Sequence, residues 1–151
     1  MVKKTKDIFY YEGLGRRKTA VARVRLYIVN KEKEAMINNV KVKAGQVLLN
    51  GKDISLKFGK PFEKQQYLLP FKLTNSEERF AVSILARSGG STGQIEAIVL
   101  GIARALEKID KETYRPILKK QGMLMRDPRT RERRKVGTGG KARRAKQSPK
   151  R

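Results

Sequence analysis

The stretch TAVARVRLYIV, residues 19–29, decides how the chain can fold, because its apolar residues alternate with a period of two. Side chains point alternately to the two faces of a β-strand, so this pattern predicts a strand with one buried face. The residues that would share the buried face are Ala20, Ala22, Val24, Leu26 and Ile28. The opposite face would carry Val21, Arg23, Arg25 and Tyr27. The sequence therefore predicts a half-buried strand with two arginines on its solvent side.

Two further apolar segments extend this strand to a small sheet. Residues 46–49 form a short apolar run that ends at Asn50 and Gly51, a pair that readily adopts the positive φ angles of a tight turn. A second period-two pattern is formed by Phe80, Val82, Ile84 and Ala86. Residues 31–45 are polar and rich in lysine, and we interpret them as an extended loop or an irregular hairpin.

The clearest helical pattern covers residues 93–109 and predicts one long amphipathic helix. Its apolar residues recur at spacings of three and four, so they form a single stripe that would face a core. The stripe consists of Ile95, Ile98, Val99, Ile102, Leu106 and Ile109. Before it, residues 91–94 match a capping box, in which Ser91 is the N-cap and Gln94 reaches back to it.

Two shorter helices are predicted next to prolines. Residues 62–69 follow Pro61, which suits the first turn of a helix. Residues 116–121 form the other helix, because Pro116 suits its start and Gly122 suits the position after its end. Together with the strands, these helices predict a compact domain that contains both kinds of secondary structure.

Composition excludes several kinds of chemistry. The 151 residues contain no cysteine and no histidine, so no disulfide, thiolate nucleophile, histidine triad or Cys/His metal site can form. The longest apolar run, residues 97–103, is far shorter than the roughly 20 residues of a membrane-spanning helix. The N-terminus lacks the apolar core of a secretory signal. We therefore expect a cytoplasmic protein without a membrane segment, a metal or another cofactor.

The net charge is the strongest functional signal. Lys and Arg number 37 against 14 Asp and Glu, which gives a formal charge of +23. So large a surplus repels itself and favours a polyanionic partner. Nucleic acid is favoured over an anionic membrane, because the most basic segment lacks the apolar stripe of a membrane-surface helix.

The most basic segment is the C-terminal tail, which we define as residues 123–151 following a globular domain of residues 1–122. Residues 126–151 hold 12 basic and 2 acidic side chains and no aromatic one. Such a segment cannot bury enough apolar surface to offset its ordering entropy, so we expect it to be disordered until bound. Without aromatic residues it would bind phosphates and not stack on bases. The candidate phosphate ligands are Arg126, Arg129, Arg131, Arg133, Arg134, Lys135, Lys141, Arg143, Arg144 and Lys146.

Residues 15–18 add further candidate ligands within the globular domain. Arg16, Arg17 and Lys18 directly precede the first strand and would continue the cationic face of Arg23 and Arg25. A basic strand edge that prevents aggregation is the alternative interpretation of the same residues.

The glycine-rich turn at residues 87–94 would open the long helix. Free N–H groups at a helix start suit a phosphate, so Arg87, Gly89 and Gly90 are candidate ligands. The turn lacks the glycine spacing of a dinucleotide-binding loop and the lysine of a Walker A motif. A nucleotide pocket is therefore disfavoured against an ordinary capped helix start.

Six segments of the chain resemble one family. They are GRRKTAVARVRL at residues 15–26, LLNGKDISLKF at 48–58, GGSTGQ at 89–94, GIARAL at 101–106, RPILKKQGMLMRDPR at 115–129 and RERRKVGTGGKARRAKQSPKR at 131–151. In this order they resemble the family of the ninth protein of the small ribosomal subunit, in its bacterial or plastid form. Ser88 stands where many members carry glycine.

The resemblance implies a fold as well as a function. The fold would be a two-layer α+β domain with a four-stranded sheet, helices on one face, βββαβα order and a left-handed crossover, against the general right-handed rule. The chain would be a structural component of the small-subunit head, bound to small-subunit ribosomal RNA and beside other head proteins. Lys119 and Lys120 would join the RNA ligands. The tail would reach the peptidyl site, where Lys150 and Arg151 would contact the anticodon stem-loop of tRNA.

Two alternatives from other functional classes stay open. A nucleic-acid packaging protein would use the same charge to bind duplex DNA without regard to sequence. An RNA-modifying enzyme would need a pocket and an activated group, and the candidate carboxylates lie among lysines, where charge balance explains them. These carboxylates are Glu77, Glu78, Glu107, Asp110 and Glu112. We predict that the chain is not an enzyme and forms no homo-oligomer.

Overall fold

A computed structural model of the chain describes residues 3–5, 8–29, 34–37, 40–134 and 136. The strands are β1 (Lys3–Thr5), β2 (Ile8–Arg17), β3 (Ala20–Ile28), β4 (Glu34–Ile37), β5 (Val40–Lys43), β6 (Val47–Leu49), β7 (Lys52–Asp53) and β8 (Phe80–Arg87). The helices are α1 (Pro61–Leu73), α2 (Ser91–Ile109) and α3 (Lys111–Lys120), and a short 3₁₀ turn covers Ile54–Leu56. The α+β class is therefore confirmed.

The main sheet has six strands in the order β1-β2-β3-β8-β6-β7. Neighbouring strands are antiparallel except β6 and β8, which are parallel and are connected through α1. The predicted four-stranded sheet corresponds to β2, β3, β8 and β6, and its strand number was wrong because the short strands β1 and β7 extend both edges. The hand of the crossover stays a prediction.

One face of the sheet and the three helices enclose the main core, which makes two layers. Alternate residues of β3 and β8 are buried there, as the period-two patterns predict. Ile28 is an exception, because its side chain is 50% exposed. Near the end of α2, Lys108 donates from its Nζ to the Glu12 carbonyl at 2.6 Å, and Glu12 is the cross-strand partner of Arg25 on β3. The end of the helix therefore lies near Arg25. Ile28 lies farther along the strand, beyond the end of the helix.

The opposite face of the sheet is partly covered by the hairpin of β4 and β5. A second buried cluster consists of Tyr10, Tyr27, Ala35, Ile37, Val42 and Ala81. Tyr27, expected on the solvent side, is buried here because the hairpin packs over it. Of the two forms predicted for residues 31–45, an extended loop or an irregular hairpin, the described residues adopt the hairpin, whereas residues 31–33 and 38–39 lie outside them.

Strand β2 and helix α2 approach each other so closely that only glycine fits between them. A Cβ on Gly15 would overlap the Ala97 carbonyl oxygen and lie 2.6 Å from the Gly101 nitrogen. A Cβ on Gly13 would lie 2.7 Å from the Ala105 nitrogen. The strand itself was not predicted from the sequence, because these glycines interrupt its apolar alternation.

The two shorter helices, α1 and α3, have bounds that differ from the predicted ones. Helix α1 continues past residue 69 with Pro70 buried inside it, and α3 begins at Lys111, well before Pro116. Asp110 explains the earlier start of α3, because its carboxylate accepts a hydrogen bond from the Thr113 N–H at 3.0 Å. The predicted role of Gly122 is confirmed, since it has a φ of 68° directly after the C-cap of α3.

No helix in the described part of the chain is long and apolar enough to cross a membrane.

Candidate nucleic-acid interface

The turn between β2 and β3 and the loop between β8 and α2 lie against each other at one end of the sheet. Gly89 has a φ of 70°, and a Cβ on it would lie 2.8 Å from the Ala20 Cβ. Arg16 is the cross-strand partner of Val21, which is in turn the partner of Arg87. Directly opposite residues share a face of the sheet, so Arg16 and Arg87 lie on the same face. Lys18 occupies the turn with a φ of 50°.

We call this region the basic end and define it as Arg16, Lys18 and Arg87 together with the loop residues 88–90. The side chains of all three cations are exposed. None of them forms an ion pair with another residue in the described ranges. These three candidate ligands are therefore brought together and left available to an anion.

Helix α2 opens at the basic end without a side-chain cap. Its N-cap is Gly90, so the predicted capping box with Ser91 as N-cap was wrong. Gln94 donates instead from its amide nitrogen to the Ser88 carbonyl at 2.9 Å and accepts from Lys57 Nζ at 2.6 Å. Gln94 thereby stabilises the loop before the helix. The first N–H groups of α2 donate to no side-chain cap, so their partial positive charge is available to an anion.

Arg25 does not have the free guanidinium that the sequence suggested. Its Nε donates to Glu12 at 3.0 Å, and its guanidinium lies 4.6 Å from the centre of the Tyr10 ring. Burial acts to lower the pKa of Arg25, but hydrogen bonds with Glu12 and Tyr27 outweigh it and raise that pKa. Arg23, on the same face, is half-buried between its cross-strand partners Leu14 and Leu85.

Among the candidate ligands, Arg17 differs most from its prediction as a phosphate ligand on the cationic face. Its side chain is nearly buried, with the residue 8% exposed. The Nε donates to the Glu96 carboxylate, and Nη1 donates to the Arg129 carbonyl at 2.9 Å and lies 3.1 Å from Asp127 Oδ1. The alternation of β2 could have shown this, because Gly13, Gly15 and Arg17 share the face that packs on α2.

The described part of the tail begins as a continuation of the folded body. Met123 and Leu124 pack half-buried against the main core. The exposed cations that follow are Arg126, Arg129, Arg131, Arg133 and Arg134. The predicted ligands Lys135, Lys141, Arg143, Arg144, Lys146, Lys150 and Arg151 lie outside the described residues. The predicted boundary at residue 122 and the disorder of the free tail stay predictions.

Lys119 and Lys120 are exposed on the last turn of α3. Cations at this position also stabilise a helix by interacting with its C-terminal carbonyl groups, so their placement has a structural reason as well.

Among the candidate carboxylates, two have clear structural roles. Glu107 accepts from Arg115 Nη1 at 2.5 Å, and Asp110 caps α3. Among the described residues, no group of three or more Asp or Glu side chains is arranged to hold a metal ion.

The fold and the basic end together define a class of protein: a compact α+β domain with a concentrated cationic surface, typical of proteins that bind nucleic acid. Within this class, the family model described as "Ribosomal protein S9/S16" matches residues 15–151. The chain is also 42% identical over 142 residues to the small ribosomal subunit protein uS9 of two strains of Dehalococcoides mccartyi, BAV1 and CBDB1. These alignments cover 94% of the chain and 96% of each relative.

The chain therefore belongs to the ribosomal protein S9/S16 family, and the predicted resemblance is confirmed. Its members are structural components of the small ribosomal subunit that serve translation, and they are not enzymes.

Proposed function

We propose that this chain binds small-subunit ribosomal RNA in the head of the subunit through its basic end and its tail, and that its last residues contact tRNA in the peptidyl site. As a member of the S9/S16 family it is a structural constituent of the small subunit. The further proposals are that it works in the cytoplasm, as a single copy, beside other proteins of the head.

The observation that carries the RNA-binding proposal is the uncapped start of α2 at the same end of the sheet as the exposed cations Lys18 and Arg87. Backbone N–H groups at a helix start favour a phosphate, and Lys18 and Arg87 add exposed positive charge at that end of the sheet. The loop can approach a phosphate closely because Gly90 has open space where a side chain would stand. This geometry needs no base-specific contact, so it suits recognition of the shape and backbone of a folded RNA.

Among the described residues, the predicted RNA ligands fall into two groups according to their contacts within the protein. The cations proposed to contact phosphates directly are Arg16, Lys18, Arg23, Arg87, Lys119, Lys120, Arg126, Arg131, Arg133 and Arg134, with Gly89 and Gly90 supplying close backbone approach. Arg17, Arg25 and Arg129 are engaged within the protein, through Glu96, Glu12 and Asp127 respectively.

The contact with tRNA is proposed for Lys150 and Arg151, and it predicts a specific defect. A chain lacking residues 148–151 should enter small subunits normally, because the basic end and most of the tail are retained. Its subunits should hold peptidyl-site tRNA about tenfold more weakly, as expected when two charge-assisted contacts of about 0.7 kcal/mol each are lost.

The measurement is tRNA dissociation from purified subunits, with co-sedimentation through a moderate-salt wash as the assembly readout. The control chain carries Gln147→Ala and Ser148→Ala, which change the same region without changing its charge. Equal tRNA affinity in truncated and full-length subunits would refute the tRNA contact, whereas loss of co-sedimentation by the full chain would refute the RNA-binding proposal.

A further inference from the structure

Four charged groups from three separate parts of the chain meet where the tail leaves the domain. Arg17 comes from the end of β2, Glu96 from the first half of α2, and Asp127 and Arg129 from the start of the tail. We call them the Arg17 cluster. Two cations and two anions make the cluster neutral, so it offers no surplus charge to a phosphate.

The start of the tail is held by the cluster at more than one atom. Arg17 Nη1 lies 3.1 Å from Asp127 Oδ1 and donates to the backbone carbonyl of Arg129 at 2.9 Å. Asp127 in turn accepts from the Arg129 backbone N–H at 2.9 Å and from its Nη2 at 2.6 Å. Both side-chain and backbone atoms at the start of the tail are therefore engaged, either with Arg17 or with each other.

The negative charge of Asp127 persists over the working pH range. The hydrogen bonds that Arg129 donates from its side chain and its backbone N–H, and the nearby charge of Arg17, hold the pKa of Asp127 well below its usual range. A carboxyl with a lowered pKa keeps its bonds at every pH above that pKa and loses them only in strong acid.

We propose that Arg17 is a positioning residue for the tail and not a phosphate ligand. With Glu96 it fixes Asp127 and Arg129, and so sets the point and direction from which Arg131, Arg133 and Arg134 leave the domain. The consequence for RNA rests on the proposed function, whereas the fixed origin of the tail is a property of the free protein.

A fixed origin matters for binding because the tail is tethered to a domain that has its own contacts. Anchoring the first residues of a tethered segment restricts where its cations can be, and so raises their effective concentration at a site within reach. It also lowers the ordering entropy that remains to be lost on binding. Releasing the origin should therefore weaken RNA binding without removing any phosphate contact.

Replacing Asp127 distinguishes this positioning role from simple electrostatic attraction, because the two predict opposite changes in RNA affinity. Asp127→Ala raises the net charge by one, so attraction to phosphates alone predicts tighter RNA binding. Loss of positioning predicts weaker binding. Glu132→Ala is the matched control, since it removes one carboxylate from an exposed position of the same segment, outside the cluster.

The experiment uses the full chain and two readouts. In the free protein, limited trypsin cleavage after Arg126 and Arg129 should be about tenfold faster in Asp127→Ala and unchanged in Glu132→Ala, because cleavage follows the population of the released segment. With the head-domain fragment of small-subunit ribosomal RNA as probe, Asp127→Ala should bind about fivefold more weakly than the unaltered chain. Glu132→Ala should bind as tightly or more tightly.

Arg17→Lys tests the other side of the cluster at constant charge, since an ammonium group lacks the fork that reaches Glu96 through Nε and the start of the tail through Nη1. It should speed the same cleavages, whereas Arg16→Lys on the exposed face should not. The urea midpoint of each variant shows that the domain itself stays folded.

Unchanged cleavage in Asp127→Ala and Arg17→Lys would overturn the positioning role. Faster cleavage combined with RNA binding as tight as that of Glu132→Ala would overturn its link to RNA. If the unaltered chain fails to bind the RNA fragment, the proposed function fails, and the cleavage readout still decides whether Arg17 positions the tail.

Discussion

Replacing Gly15 with serine is expected to abolish folding of the domain. A Cβ at this position would overlap the Ala97 carbonyl oxygen and lie within 2.6 Å of the Gly101 nitrogen, and both atoms belong to the backbone of α2. Backbone atoms cannot move aside as a flexible side chain can, so β2 and α2 would have to separate. We expect the free energy of unfolding to fall by at least about 4 kcal/mol, which is comparable with the whole stability of a small domain.

The measurement is the midpoint of urea unfolding followed by circular dichroism. Gly90→Ser is the matched control, because a Cβ on Gly90 would meet open space and serine is a favoured N-cap residue. The control should unfold at or above the midpoint of the unaltered protein. A Gly15→Ser variant with the same midpoint would show that β2 and α2 do not pack as described.

Neutralising the start of the tail should cause the largest loss of RNA affinity. Arg131, Arg133 and Arg134 are exposed and free of ion pairs to other described residues, so all three are available to phosphates. Each phosphate contact contributes about one unit to the slope of log K against log salt, so changing all three to Gln should reduce that slope by about 2 to 3 units. At physiological salt, binding should weaken about 100-fold.

The matched control changes Lys64, Lys72 and Lys111 to Gln, which removes the same charge from exposed positions outside the proposed interface. If net charge alone governed binding, both triple variants would lose affinity equally. The proposed interface requires that the tail variant lose far more, and equal losses would contradict it.

The elements that alternation predicted well are those that bury one face against a continuous layer. β3 and β8 lie in the middle of the main sheet under the helices, so nearly every second residue is apolar for a single reason. β2 was not predicted, because the positions of this strand that face α2 require small side chains and not hydrophobic ones. The glycines that fit it against α2 look, in the sequence, like residues that interrupt a strand.

The helix boundaries were harder to predict, because more than one residue near a helix start can serve as the N-cap. Residues 91–94 match a capping box, yet the chain uses Gly90 as the N-cap and directs Gln94 to the Ser88 carbonyl and to Lys57. The choice is made by tertiary contacts, since Lys57 comes from a distant part of the chain. The start of α3 was predicted from Pro116 alone, whereas the chain begins this helix after Asp110, whose carboxylate accepts from the Thr113 N–H.

The basic end could be predicted in outline but not residue by residue. Arg16, Lys18 and Arg87 are brought together because β2, β3 and β8 are neighbours with a register that the sequence does not display. Adjacent Arg16 and Arg17 point to opposite faces of β2, so one is exposed and the other joins Glu96 and Asp127. Their different partners follow from the packing of α2, which composition cannot show.

The central claim is that the cationic surplus of this protein is matched to folded ribosomal RNA and not to polyanions in general. The most direct measurement compares the affinity of the full chain for small-subunit ribosomal RNA with its affinity for duplex DNA of equal length as salt is raised. Both affinities should fall, because counterion release is common to both. RNA binding is expected to persist at salt concentrations that abolish DNA binding, since recognition of shape is less sensitive to salt. Equal affinities for the two nucleic acids at every salt concentration would contradict it and favour a packaging role.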